Sequence, residues 1–169
     1  MNTDVMFSSK KEDWETPQWL FDELDEEFNF NLDAAASQEN AKCEDYFTEE
    51  HDGLMQPWVF ESVKFSAAYS RGSALVRQSS RVWLNPPYGR TVGEWVEKAV
   101  GEVEAGHSEL VVMLLPARTD TKYFHRFIWD KEKHQPRPGV EVRFLEGRLK
   151  FGGATNSAPF PSMVVVFRG

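Results

Sequence analysis

The run Asn85-Pro86-Pro87-Tyr88 combines side chains and backbone in a way that suggests a reaction. Two consecutive prolines fix φ and remove two N–H groups, so neither a strand nor a helix continues through them. The Asn85 side-chain oxygen and the Pro86 carbonyl are therefore two acceptors held in a rigid relation. Such a pair suits an exocyclic amino group, because both hydrogens of a planar NH2 can be bound at once. Binding them draws the nitrogen toward tetrahedral geometry and exposes its lone pair, while Tyr88 supplies a flat surface for a heterocycle.

A loop of this kind needs a strand to deliver it, and Val82-Trp83-Leu84 ends at Asn85. Upstream, Thr16-Pro17 reads as N-cap and first-turn proline of an amphipathic helix from about Pro17 to Glu27, with Leu20, Phe21, Leu24 and Phe28 at helical spacing. Phe30-Asn31-Leu32 is a short strand candidate, and Asp33-Ala34-Ala35-Ala36-Ser37 a turn whose small side chains allow close approach of a ligand or a helix. Downstream, Trp95, Val96, Ala99, Val100 and Val103 recur at helical spacing up to Gly106. The uninterrupted run Leu110–Leu115 marks a central strand covered on both faces. A short helix is expected between Asp120 and Asp130, and two strands near Val140–Leu145 and Ser162–Phe167. The alternation predicts an α/β fold with a mostly parallel sheet, helices on both faces and a C-terminal antiparallel hairpin. In such a sheet a ligand lies beyond the carboxyl ends of the strands, where the Asn85 loop sits.

Composition narrows the function classes. In 169 residues, 41% hydrophobic, there is material for one well-filled core, so a single domain is expected over 1–169. The single cysteine, Cys43, excludes a disulfide framework and any multi-cysteine metal site, and reads as structural. His51, His107, His125 and His134 show no pairing that suggests a metal, so none is expected. No run approaches the ~20 apolar residues of a membrane span, and Met1 to Asp13 has no signal-peptide core. A soluble, cytoplasmic protein without a membrane partner is expected. The net charge of -8 is uneven: residues 1–52 hold 16 acids against 3 bases, and residues 53–169 hold 11 acids against 16 bases. A basic face is therefore compatible with an acidic average.

The tetrapeptide Asn85–Tyr88 resembles the catalytic motif of S-adenosylmethionine-dependent amino methyltransferases. Further blocks carry the resemblance along nearly the whole chain: Trp14–Pro17, Leu32–Ala36, Asp52–Leu54, Val82–Gly89, Leu115–Thr121, Gly147–Phe151 and Pro159–Ser162. Together they are similar to the phage-type DNA N6-adenine methyltransferases. The resemblance implies a Rossmann-like methyltransferase fold, S-adenosyl-L-methionine as cofactor, double-stranded DNA as partner and a flipped-out adenine as substrate, in a bacterial or phage-infected cell. It implies Asn85, Pro86, Pro87 and Tyr88 as catalytic residues. Thr16, Pro17, Asp33, Ala34 and Ala35 are implied as contacts to the amino-acid part of the cofactor, and Asp52 with Leu54 as contacts near its adenine. The motif is shared with enzymes acting on a protein glutamine amide, so RNA or protein substrates and an inactive cofactor-binding relative stay open at this point.

Relative to that family the segment 59–80 is extra, and a basic loop insertion is expected there. Residues 62–81 hold four bases, Lys64, Arg71, Arg77 and Arg81, with six serines, two aromatics and no acid. Bases, hydroxyls and aromatics are the groups that meet phosphates and unstacked bases, so this segment reads either as a DNA contact or as a passive insertion. Arg90, Arg118 and Lys122 are the other DNA-contact candidates, with Arg126 next. Arg118, Asp120 and Thr121 follow the central strand and read as target-base pocket, phosphate contact or loop network.

Overall fold

A computed structural model describes residues 14–65 and 73–169. Arg71 lies outside the described residues. Helix α1 spans Gln18–Phe28 and strand β1 Leu32–Asp33, followed by β2 Asp45–Tyr46, β3 Val59–Phe65 and β4 Ser73–Leu84. Helix α2, Val92–Glu104, leads to β5, Ser108–Pro116. A π-helix, Phe124–Ile128, stands where a short helix was expected and runs into the small pair β6, Trp129–Asp130, and β7, Gln135–Pro136. Strands β8, Val140–Phe144, and β9, Ser162–Arg168, close the chain.

Among the described residues, seven strands form one mixed sheet in the order β2-β1-β4-β5-β9-β8, with β3 paired to β4. Strands β2, β1, β4 and β5 are mutually parallel, while β9 runs against both β5 and β8. The last two strands therefore form the expected antiparallel hairpin. The side chains of β5 alternate between two apolar layers. Leu110, Val112 and Leu114 pack with α1 residues Leu20, Phe21, Leu24 and Phe28, whereas Val111, Met113 and Leu115 pack with α2 residues Trp95, Val96 and Ala99. Helices thus cover both faces, and the apolar run 110–115 is buried because neither side of the strand meets water.

Of the expected loop at 59–80, the described residues 59–65 and 73–80 are instead the two paired strands of a β-hairpin. Val59 to Phe65 pair antiparallel with Ser79 to Ser73, and β4 continues from the hairpin into the sheet centre through a register shift between Ser80 and Arg81. Val59, Phe60, Val63 and Phe65 are residues that fit a pleated surface, which outweighs the serines and bases that read as loop. A buried polar knot fastens the hairpin base. Trp58 N–H donates to Glu102 Oε2 at 2.7 Å, and Trp58 Nε1–H donates to the Gly53 carbonyl at 2.8 Å. Ser80 Oγ meets the Trp58 carbonyl and Ser108 Oγ. Glu102 also receives Lys98 Nζ and His107 Nδ1.

Burial alone would push the Glu102 carboxyl up, but hydrogen bonds from Lys98, Trp58 and His107 hold it below the usual carboxylate range. A lowered folded pKa gives stability that is present above the unfolded value of 4.5 and is lost as pH falls through the folded pKa. Glu102→Ala is expected to cost about 3 kcal/mol at pH 7, because it leaves Lys98 and the Trp58 N–H without their acceptor. Urea titrations of both proteins should show the gap narrowing as pH drops below about 4.5.

Candidate active site

The parallel strands β1 and β4 are neighbours, yet the chain leaves β1 toward β2 on one side and returns to β4 on the other. Such a switch point opens a crevice at the carboxyl ends of the strands. A cavity of about 310 Å3 lies there, walled on one side by Asp33, Ala34 and Ala35 and on the other by Asn85, Pro86, Pro87 and Tyr88. The N-terminal strap adds Trp14, Glu15 and Thr16, and the segment after β2 adds Thr48, Glu49, Asp52 and Gly53.

Each wall has a local cause. The buried Asp33 carboxylate accepts the backbone N–H of Lys42 at 3.0 Å and that of Ala35 at 3.4 Å, which folds the turn 34–42 back over the end of β1. Gly53 packs so closely on this turn that a Cβ would stand 2.3 Å from the Ala34 carbonyl oxygen. That contact leaves Asp52 on the exposed rim, at φ +52°.

Asn85 is held by its nitrogen. Nδ2–H donates to the Trp14 carbonyl at 2.7 Å and to Thr16 Oγ1 at 3.0 Å. A carbonyl can only accept, so this contact fixes which end of the amide is nitrogen. The Asn85 oxygen, Oδ1, is buried and has no hydrogen-bond partner among the described residues. This corrects the expected N-cap role of Thr16. Pro17 itself occupies the N-cap of α1 with ψ 132°, and the Thr16 hydroxyl turns to Asn85 instead of the helix end.

Tyr88 is braced by Phe160 at 5.6 Å and Phe151 at 6.1 Å, both edge-on, and by Trp14 at 6.2 Å, between ring centroids. Its hydroxyl donates to the Leu114 carbonyl at 3.2 Å. Burial, with Tyr123 nearby, raises its pKa far above neutrality, so the phenol stays protonated. Burial also pushes the Cys43 thiol up to about 12, with Asp33, Asp25 and Asp45 adding to the effect. Cys43 is thus no thiolate at neutral pH. Among the described residues no group of His, Cys, Asp or Glu is arranged to hold a metal ion.

The structure brings Thr16, Asp33, Ala34, Ala35, Asp52 and the whole Asn85–Tyr88 loop to one cavity. Pro17 and Leu54 stand behind its wall, the first opening α1 and the second packed on the α2-side core. Sequence reasoning missed Glu15, Lys42 and Glu49. Lys42 carried a signal, being the one base between Lys11 and Lys64. Of the DNA-contact candidates, Arg90 follows the β4 loop while Arg118 and Lys122 follow β5, so all three are exposed near the cavity edge of the sheet. The hairpin bases do not join them. Lys64 pairs through its backbone with Ala74, and Arg77 pairs with Glu61 at 2.8 Å. Arg77 precedes Asn85 by eight residues along β4, about 26 Å of strand. Arg81 has partners inside the fold: its guanidinium is engaged by the Phe28 carbonyl and Glu109, tying α1 to the sheet.

Comparison with known proteins follows the same lines. The sequence profile of the family described as DNA N-6-adenine-methyltransferase (Dam) matches residues 4–169. The chain belongs to that family. It is 27% identical over 161 residues to the DNA N-6-adenine-methyltransferase of Haemophilus phage HP1 (strain HP1c1), covering 94% of this chain and 80% of that relative. It is 33% identical over 112 residues to the protein of the same description from Escherichia phage T1, covering 66% of this chain. The match spans 38% of the length of that second relative.

The close approach at Gly53 can be measured directly. Gly53→Ala forces a backbone contact apart and is expected to cost about 2 kcal/mol, whereas Gly153→Ala, with open space around it, should be near neutral. Thermal melts of the two variants compare them.

Proposed function

We propose that this chain is an S-adenosylmethionine-dependent DNA adenine N6-methyltransferase with a Rossmann-like arrangement of its parallel strands. One observation carries the reading: a buried acceptor without a partner, Asn85 Oδ1, at the wall of a cavity that Pro86 and Tyr88 also line. An unpaired buried acceptor costs about 1–3 kcal/mol, so such an atom calls for a donor from a ligand. An exocyclic amine is a donor of the right kind, and DNA adenine N6 is the amine named by the family.

The cavity chemistry fits the cofactor. Four acids line it, Glu15, Asp33, Glu49 and Asp52, against the single base Lys42 among the described residues. S-adenosylmethionine carries a sulfonium, an ammonium and a carboxylate, so its net positive charge matches that excess. Asp33 and Ala34 at the end of β1 and Thr16 on the strap are where its amino-acid part would be held, with Asp52 and Glu49 at the exposed rim. When bound, the cofactor supplies a methyl group made electrophilic by the sulfonium.

The residues of the chain do the rest. Asn85 Oδ1 accepts one hydrogen of the target amine and the Pro86 carbonyl the other, orienting the lone pair and leaving the nitrogen in a fixed place. Tyr88 contributes its ring, since its hydroxyl is engaged by the Leu114 carbonyl and stays protonated. An adenine stacked in a duplex cannot reach this loop, so it must be flipped out. Arg90, Arg118 and Lys122, exposed after β4 and β5, would meet the phosphates around it.

Asn85→Ala should lower turnover by about 10²–10³, the scale for removing one aligned polar group at a reacting centre, while cofactor affinity stays within a few-fold. Transfer of labelled methyl to DNA, RNA and protein substrates in parallel, with calorimetric cofactor binding, is the measurement; label on RNA or protein alone would overturn the reading. Replacing Arg90, Arg118 and Lys122 together by Gln should weaken binding on all sequences and flatten log affinity against log salt by up to ~2.7, at about 0.9 per phosphate contact. A salt titration of DNA binding checks this.

A further inference from the structure

Lys42 carries a charge that the scaffold only partly answers. Its side chain is 8% exposed, and its nearest carboxylate, Glu15 Oε1, is 3.8 Å from Nζ, outside hydrogen-bond range. Gln18 Oε1 takes one Nζ hydrogen at 2.8 Å. An ammonium has three donors, so further N–H groups are left to point elsewhere. Lys42 lines the cavity and is the only base among the described residues to do so. Its backbone is fixed as well, because its N–H is bound by Asp33 Oδ2 at the end of β1.

A buried ammonium beside an open cavity favours an anionic ligand group. We propose that Lys42 recognises the α-carboxylate of the cofactor, the only anionic group on an otherwise cationic ligand. The proposal rests on the cofactor reading above. Lys42 meets Glu15 and Gln18, which flank Thr16, the partner of Asn85, in the chain, so it marks the end of the cavity at which the amino-acid part would sit.

Calorimetry on the full chain tests this with two ligands that share a nucleoside and a thioether. S-adenosylhomocysteine has the carboxylate; 5′-methylthioadenosine lacks the whole amino acid. Lys42→Met should weaken S-adenosylhomocysteine by about tenfold or more, the scale of a charge-assisted hydrogen bond, and leave 5′-methylthioadenosine within about twofold. The second ligand also reports whether the variant cavity is intact. Lys42→Arg, which keeps the charge, should hold both affinities within about threefold and serves as the second variant if Met does not fold. Equal losses for both ligands in Lys42→Met, or no loss for either, would overturn the assignment, as would a Lys42→Arg variant that folds and loses 5′-methylthioadenosine as much as S-adenosylhomocysteine. If the wild-type chain binds neither ligand, the cofactor reading itself falls.

Discussion

Both hydrogens of the Asn85 amide are committed to the strap that precedes α1, and the active-site geometry follows from that commitment. Because Nδ2 is anchored to Trp14 and Thr16, the side chain cannot rotate to satisfy its oxygen from the scaffold, and Oδ1 is left over. The strap is anchored in turn, since the Glu15 carbonyl accepts the Gly152 N–H at 2.8 Å and the Trp14 ring packs against Phe151 and Phe160. Segments distant in sequence therefore meet around one amide: the strap, the end of β4 and the aromatic loop before β9. The unpaired acceptor is a cost of about 1–3 kcal/mol. It is borne by a strand end whose neighbours Trp83 and Leu84 are almost wholly buried.

Strand β4 links this site to the remainder of the molecule. Its last residues sit between β1 and β5, and its first residues form the outer arm of the hairpin. A strand that belongs to both must be gripped where it passes from one to the other, and the knot of Trp58, Ser80, Ser108 and Glu102 stands at that point. Polar groups there are paired among themselves, so the network rigidifies the junction without offering a free donor or acceptor. The two polar sites along β4 thus differ in kind. At Asn85 an acceptor is left unpaired by the described residues, and at Ser80 every polar group named in the knot is satisfied.

The parts of the fold legible in the sequence were those with strong local signatures. The apolar run 110–115, the helical spacing of Leu20, Phe21, Leu24 and Phe28, and the two prolines after Asn85 each specify one local outcome. What escaped depends on distant partners. Thr16 before Pro17 looks the same whether its hydroxyl caps a helix or meets an amide 69 residues away, and only the tertiary structure chooses the second. Arg81 reads as a surface base until the Phe28 carbonyl, 53 residues earlier in the chain, takes its guanidinium. The hairpin was hidden for a different reason: its serines and bases lie among Val and Phe, and composition weighed more than pairing potential. Of the cavity wall, the two strand ends could be read from local sequence, whereas Glu15, Lys42 and Glu49 reach it only through the folding back of turn 34–42 and the strap.

Net charge is a poor guide to partners in such a molecule, because screening limits each exposed charge to about 8–10 Å at physiological salt. What a ligand meets is the local sign. The acid-rich first third directs Glu15, Asp33, Glu49 and Asp52 to the cavity, binds Asp25 to the Phe30 N–H and pairs Glu27 with Arg143. These acids are engaged with the fold or face a space suited to a cation. Arg90, Arg118 and Lys122 form no ion pair among the described residues and stand exposed after β4 and β5. A polyanion approaching the carboxyl edge of the sheet therefore meets positive charge from Arg90, Arg118 and Lys122, while the cavity acids, Asp33 buried at the end of β1 and Glu49 and Asp52 exposed at the rim, surround the place proposed for a cationic cofactor. Such a segregation would let one edge take the two ligands of opposite charge proposed above, although the chain is acidic overall.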